Sequence, residues 1–139
     1  MTPDEVKETV LGYYADVRAA LGDDAWSEMS SWGTCQLDGH RDDVQWTFAA
    51  QRFIELPMTP KSYGEQIAAA WTDRGLEPSA GEDEGSTEGS YLVSDPPFLA
   101  GSRSDGGFTQ ISIDPRSALF RATSACIPGR LADMEPPQG

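Results

Sequence analysis

Positive charge is what this sequence most lacks. Ten lysines and arginines stand against 23 acidic residues, for a net charge of −13. A chain so acidic cannot build the basic footprint that a phosphate backbone requires, which excludes nucleic acid as a partner. An anionic membrane surface would repel it for the same reason. Long apolar runs are also missing. No window approaches the roughly 18 to 20 apolar residues of a membrane-spanning helix, and no charged-then-apolar leader opens the chain. The start at Met1-Thr2-Pro3 reads as one placed after a removed leader.

Histidine is reduced to a single residue, His40, in the polar turn Asp38-Gly39-His40-Arg41-Asp42. Zinc wants several cysteine or histidine ligands, which one histidine and two distant cysteines do not supply. The acidic clusters Asp23-Asp24 and Glu82-Asp83-Glu84 lack the alternating oxygens of a calcium loop. Asp105-Gly106-Gly107 leads into no helix and so is no phosphate loop. No Gly-x-Ser-x-Gly elbow accompanies the histidine. No metal or cofactor is therefore expected, no catalytic residue is singled out, and a non-enzymatic role is the expectation. A hydrolase using His40 is the enzymatic alternative, and it requires that histidine to sit in a pocket.

What the sequence does contain is enough for one domain. Its 139 residues are 38% hydrophobic, with four Trp, five Phe and four Tyr to fill a modest core. Thr2-Pro3-Asp4-Glu5 gives an N-cap, a first-turn proline and a glutamate three residues after the cap. Val6, Val10, Tyr13, Tyr14, Val17 and Leu21 follow at helical spacing, and Gly22 stops the helix. A second Thr-Pro, Thr59-Pro60, opens another helix with Tyr63, Ile67, Ala70 and Trp71 on one face and Gly75-Leu76 at its end.

Strands are expected at 34–37, at 44–48 and, after a bulge at 49–51, at 52–56. Further strands are expected at 89–95, 98–102, 108–113 and 118–126, with turns at 104–107 and 114–117. Residues 23–33 read as irregular, 77–88 as a mobile acidic loop, and 128–139 as a Pro-rich flexible tail behind a single domain at 1–127. The sum is an α+β fold: an antiparallel sheet of five or six strands with two helices on one face, in the order α-β-β-α-β-β-β(-β).

Two cysteines remain, Cys35 and Cys126. Low lysine content, Ser/Thr/Gly-rich strands and their placement at opposite ends of the sheet region favour a disulfide between them, and hence an oxidising compartment. Closing a loop of about ninety residues would stabilise the fold by roughly 4 to 5 kcal/mol on chain-entropy reasoning. The aromatic residues Trp26, Trp32 and Trp46, with Phe98 after Pro96-Pro97, form a candidate ligand or partner surface if they face solvent. Packing into the core is the competing reading.

These punctuation marks together carry a resemblance. A first helix ends in Ala-Ala-Leu-Gly, a Trp-containing linker follows, and Cys35 precedes a strand carrying Trp46. A second helix closes on Trp71 and Arg74-Gly75-Leu76, and a Gly-Gly-Phe-Thr hairpin leads to Ser124-Ala125-Cys126. Over Val6 to Cys126 the chain resembles small, uncharacterised secreted lipoproteins of actinobacteria. The resemblance implies an extracytoplasmic location, a lipid anchor on the precursor and no activity. The expected function is thus a non-enzymatic cell-envelope binding or structural domain, its partner a protein or small ligand. The alternative is an acidic cytosolic inhibitor of the immunity type, using charge to capture a basic partner quickly.

Overall fold

The computed structural model describes residues 1–40, 42–82, 89–97 and 100–134. The first helix, α1 (Pro3–Leu21), starts on a reciprocal capping box. The Glu5 N–H donates to the Thr2 hydroxyl, and the Thr2 N–H donates to Glu5 Oε1. Its buried stripe is Val6, Val10, Tyr13, Tyr14, Val17 and Leu21, the six residues that the spacing selects. The second helix, α2 (Pro60–Asp73), buries Tyr63, Gly64, Ile67 and Trp71. It closes in a Schellman motif, with the Leu76 N–H donating to Trp71 O and the Gly75 N–H to Thr72 O. Gly75 takes the positive φ, +99°, that this motif demands.

Among the described residues seven strands form one antiparallel sheet: β1 (Ser27–Thr34), β2 (Asp43–Arg52), β3 (Ser79–Glu82), β4 (Tyr91–Asp95), β5 (Phe108–Asp114), β6 (Ser117–Thr123) and β7 (Ile127–Pro128). Their spatial order is β1-β2-β6-β5-β4-β3, with β7 also paired to β2. Both helices pack on one face of this sheet, so the architecture is the expected α+β one, with the opening α-β-β-α followed by the five strands β3 to β7. Inward side chains alternate along each strand: Val44, Trp46, Phe48 and Ala50 on β2, Ala118, Phe120 and Ala122 on β6, Ile111 and Ile113 on β5. Trp71 sits at the centre, its indole N–H donating to Tyr13 O at 3.1 Å and its ring edge-on to Phe120. Each fully buried side chain of this size contributes about 1.5 to 3 kcal/mol.

Several local expectations are corrected. Residues 27–34 are a full strand and not an irregular linker, while Cys35, Gln36 and Leu37 lie beyond its end. β2 carries no bulge, because its pairing with β1 runs unbroken from Val44 to Gln51. The apparent change of phase arises because Arg52 points inward, its guanidinium donating to Leu21 O at the end of α1, while Phe53 lies 73% exposed. A cation at a helix C-terminus meets the negative end of its dipole. Residues 53–56 are accordingly not a strand, and Ser79–Glu82, read as loop, pairs with β4. Ala100–Ser102 form no strand, while Phe98 and Leu99 of that expected strand lie outside the described residues. The closing strand ends at Thr123 and not at Cys126. After it come β7 and a single 3-10 turn, Leu131–Asp133, and Met134 packs against the core.

Candidate functional site: the groove between the first helix and an edge strand

Cys35 follows the end of β1, Cys126 precedes β7, and the two are joined in a disulfide with Cα atoms 5.6 Å apart. The surrounding backbone is tied down on all sides. The Cys35 N–H donates to Asp43 O and the Cys126 N–H to Asp105 O. Gln45, only 3% exposed, completes the knot. Its Oε1 accepts from the Gln36 N–H, and its Nε2 donates to both Gly106 O and Ser124 O. Gly106, at φ +91°, lies so close to Cys126 Sγ that a side chain there would collide with it. The region is a structural clamp with every polar group of Gln45 in use.

His40 lies in the exposed turn before β2, its Nδ1 2.6 Å from Asp43 Oδ2. Among the described residues no group of three or more His, Cys, Asp or Glu side chains converges as metal ligands would.

The aromatic candidates divide. Trp32 and Trp46 pair directly across β1 and β2 with their rings toward the helices, both buried. Trp26 is half-buried, its indole N–H donating to Gly22 O at 2.8 Å. Phe98 lies outside the described residues. Trp46 forms part of the floor of a groove of about 500 Å³ between α1 and β1, together with Phe48. Its walls are Lys7 and Leu11 from the helix and Glu28, Met29 and Ser30 from the strand. At the rim Leu11 is 39% exposed, whereas Met29, 61% exposed, shares the strand phase of its partner Ala49 and turns its side chain to the far face of the sheet.

The helix places these groups by simple periodicity. Lys7, Leu11, Tyr14 and Arg18 recur at i, i+4, i+7 and i+11, which puts them along the flank of α1 nearest β1. The Lys7 ammonium stands 5.5 Å from the Trp46 ring centroid and 5.9 Å from that of Trp32. The Tyr14 hydroxyl donates to Glu28 Oε2 at 2.6 Å, and the Arg18 guanidinium lies 4.7 Å over the Tyr14 ring. Burial and then the Glu28 hydrogen bond push the Tyr14 pKa well above its ordinary value.

Sequence reasoning missed Lys7, Leu11, Glu28 and Met29. A signal existed in Leu11, an apolar residue one step off the core stripe of α1. It gained meaning only once residues 27–34 proved to be a strand beside it.

On the opposite face of the sheet the same strand borders a second depression of about 280 Å³, lined by Ser27, Met29, Ala49, Gln51 and Leu119. The edge of β1 is thus flanked by open space on both faces.

No family model matches this chain, and no curated protein matches it. Among solved structures, the chain is similar to a DUF4853 family protein from Actinomyces odontolyticus, with a TM-score of 0.54 at 12% identity. That likeness covers 94% of this chain and 71% of the other. At such identity it is a likeness of fold, and it places this architecture beside an actinobacterial protein of an uncharacterised family.

Proposed function

We propose that this is a non-enzymatic binding domain of the cell envelope or extracellular space, with the α1–β1 groove as its ligand surface. The observation that carries the reading is the groove itself. Leu11 leaves apolar area exposed at its rim, above a floor of Trp46 and Phe48. Exposed apolar groups gathered round a concave site are the usual mark of a binding surface. The Cys35–Cys126 disulfide supports the compartment, since such bonds persist in oxidising surroundings. The proposed attachment is a lipid on the precursor, as the resemblance to secreted lipoproteins implies. Among the described residues no helix is long and apolar enough to cross a membrane.

The net charge of −13 favours a second reading, a cytosolic inhibitor that captures a basic protein. Thiol state in the producing cell separates the two. The gene, expressed with its own upstream codons, is fractionated and the denatured, non-reduced protein treated with maleimide-polyethylene glycol. We expect recovery in the envelope or medium with no maleimide added. Recovery in the cytosol with both thiols modified would reject the extracytoplasmic reading.

A further inference from the structure

Among the described residues the outer side of β1 has no strand beside it, although its inner side is paired over its whole length of eight residues. We propose that β1 recruits an extended, basic segment of a partner protein as an additional strand at this edge. The proposal rests on the groove reading above and names the class of partner.

The ladder fixes which backbone groups are on offer. The Cys35 N–H donates to Asp43 O, one residue beyond the last register pair, Thr34 with Val44. In an antiparallel pair, hydrogen-bonded positions alternate. Ser27, Met29, Ser31 and Gly33 therefore turn their N–H and C=O toward β2, and Glu28, Ser30, Trp32 and Thr34 turn theirs outward. Thr34 O accepts from Gln36 Nε2, which closes that end of the edge. The 3-10 turn also lies against β1, and Met134 after it reaches Gly129, which follows β7. What remains is the edge from Glu28 to Trp32, whose outward groups appear in no backbone hydrogen bond among the described residues. A row of alternating donors and acceptors is complementary to one thing, another extended backbone.

Side-chain space agrees. An added strand projects its side chains alternately to the two faces of a sheet. On the helix face they would enter the groove beneath Leu11 and Lys7, and on the other face the depression beside Met29 and Leu119. Natural sheets blunt long edges with lysine, proline or bulges. Residues 27–34, Ser-Glu-Met-Ser-Ser-Trp-Gly-Thr, contain no lysine or proline, and the ladder has no bulge.

Charge selects the occupant. Asp23 and Asp24 lead into the strand and Glu28 stands on it, in a chain of net charge −13. A second copy would bring the same charge to the same edge and be repelled, whereas a basic segment is attracted.

The probe is the capped octapeptide Lys-Lys-Val-Thr-Val-Thr-Lys-Lys, with glutamate replacing lysine in the control, titrated into the ¹⁵N-labelled full chain. Strand addition predicts slowed amide exchange at Glu28, Ser30 and Trp32, with little change at Met29 and Ser31, which already bond to β2. We expect the glutamate peptide to bind at least tenfold more weakly. Ser30→Pro removes an outward N–H without touching a β1–β2 bond, and should weaken binding at least tenfold with its melting curve unchanged. If that variant fails to fold, the exchange pattern of the unaltered chain decides.

Resonance shifts at Leu11 and Trp46 without alternating protection would overturn the added strand and leave the groove reading standing. No shift with millimolar peptide would overturn both. Equal binding of the glutamate peptide would overturn the basic partner. A dimer in sedimentation, with Glu28, Ser30 and Trp32 already protected, would assign the edge to a second copy and overturn the proposal.

Discussion

Tyrosine is the residue in which burial, hydrogen bonding and pH meet in this molecule. Tyr13, Tyr14 and Tyr91 all have raised pKa values, burial being the first cause in each, and Tyr14 gains further from its bond to Glu28. In the unfolded chain a phenol loses its proton near pH ~10. The folded chain therefore holds more protons above that point, and its stability, complete below pH ~10, falls as pH rises further. Tyrosinate absorbance near 295 nm in the folded protein should lag behind that of the urea-unfolded chain, and the urea midpoint should drop through the same alkaline range. Tyr14→Phe should lessen the lag while removing the Glu28 bond, at a cost of about 1 to 2 kcal/mol near neutral pH. Coincident titration of folded and unfolded chains would refute the buried placement of these rings.

At the scale of elements, the packing of α2 on the sheet turns on one glycine. Gly64 faces Tyr91 of β4 so closely that a Cβ would collide with ring atoms Cδ2 and Cε2. The ring is itself buried and pinned between helix and strand, so it has little room to retreat. Gly64→Ala gains up to ~1 kcal/mol of helix propensity, yet overpacking at such a contact costs about 1 to 3 kcal/mol. We expect a net loss of about 1 kcal/mol in urea unfolding, and a gain in stability would show that helix and strand stand further apart. The sequence marks both ends of α2 plainly through Thr59-Pro60 and Gly75-Leu76, but nothing in it marks this approach. Elements with local punctuation were legible; α1 was readable down to its six buried residues because caps and periodicity act within a few residues. β1 was not, since an edge strand open to solvent on one flank needs no alternation of apolar residues, and only Trp32 among its eight is buried. β2 was half legible: its inward phase was disguised by Arg52, whose charge reads as surface until the end of α1 is placed over it. The groove inherits this limit, because it is built from one legible wall and one illegible one.

For the molecule as a whole, the disulfide decides how much of the chain is held before folding begins. It spans a sequence separation of 91 residues and encloses β2, α2 and β3 to β6, all of the sheet but β1 and β7. On the chain-entropy account a loop of that length is worth about 4 to 5 kcal/mol, acting mainly through the unfolded chain. Small domains are commonly stable by only about 5 to 15 kcal/mol, so loss of this one bond removes a large share. Cys35→Ser and Cys126→Ser should therefore lower the stability in urea by similar amounts, and the double variant should lose no more than either single one. The urea dependence should also steepen, because an unfolded chain released from its cross-link exposes more surface. Losses that add in the double variant would show that the two cysteines act separately in solution. A native-state cause makes a different forecast: if the bond mainly holds the clamp of Gln45, Gly106 and Ser124 in place, Gln45→Ala in the oxidised protein would lose as much as Cys126→Ser. An unfolded-state cause leaves Gln45→Ala with only its lost hydrogen bonds and the small cavity, about 2 to 3 kcal/mol. Comparing those two variants in one urea series tells the mechanisms apart.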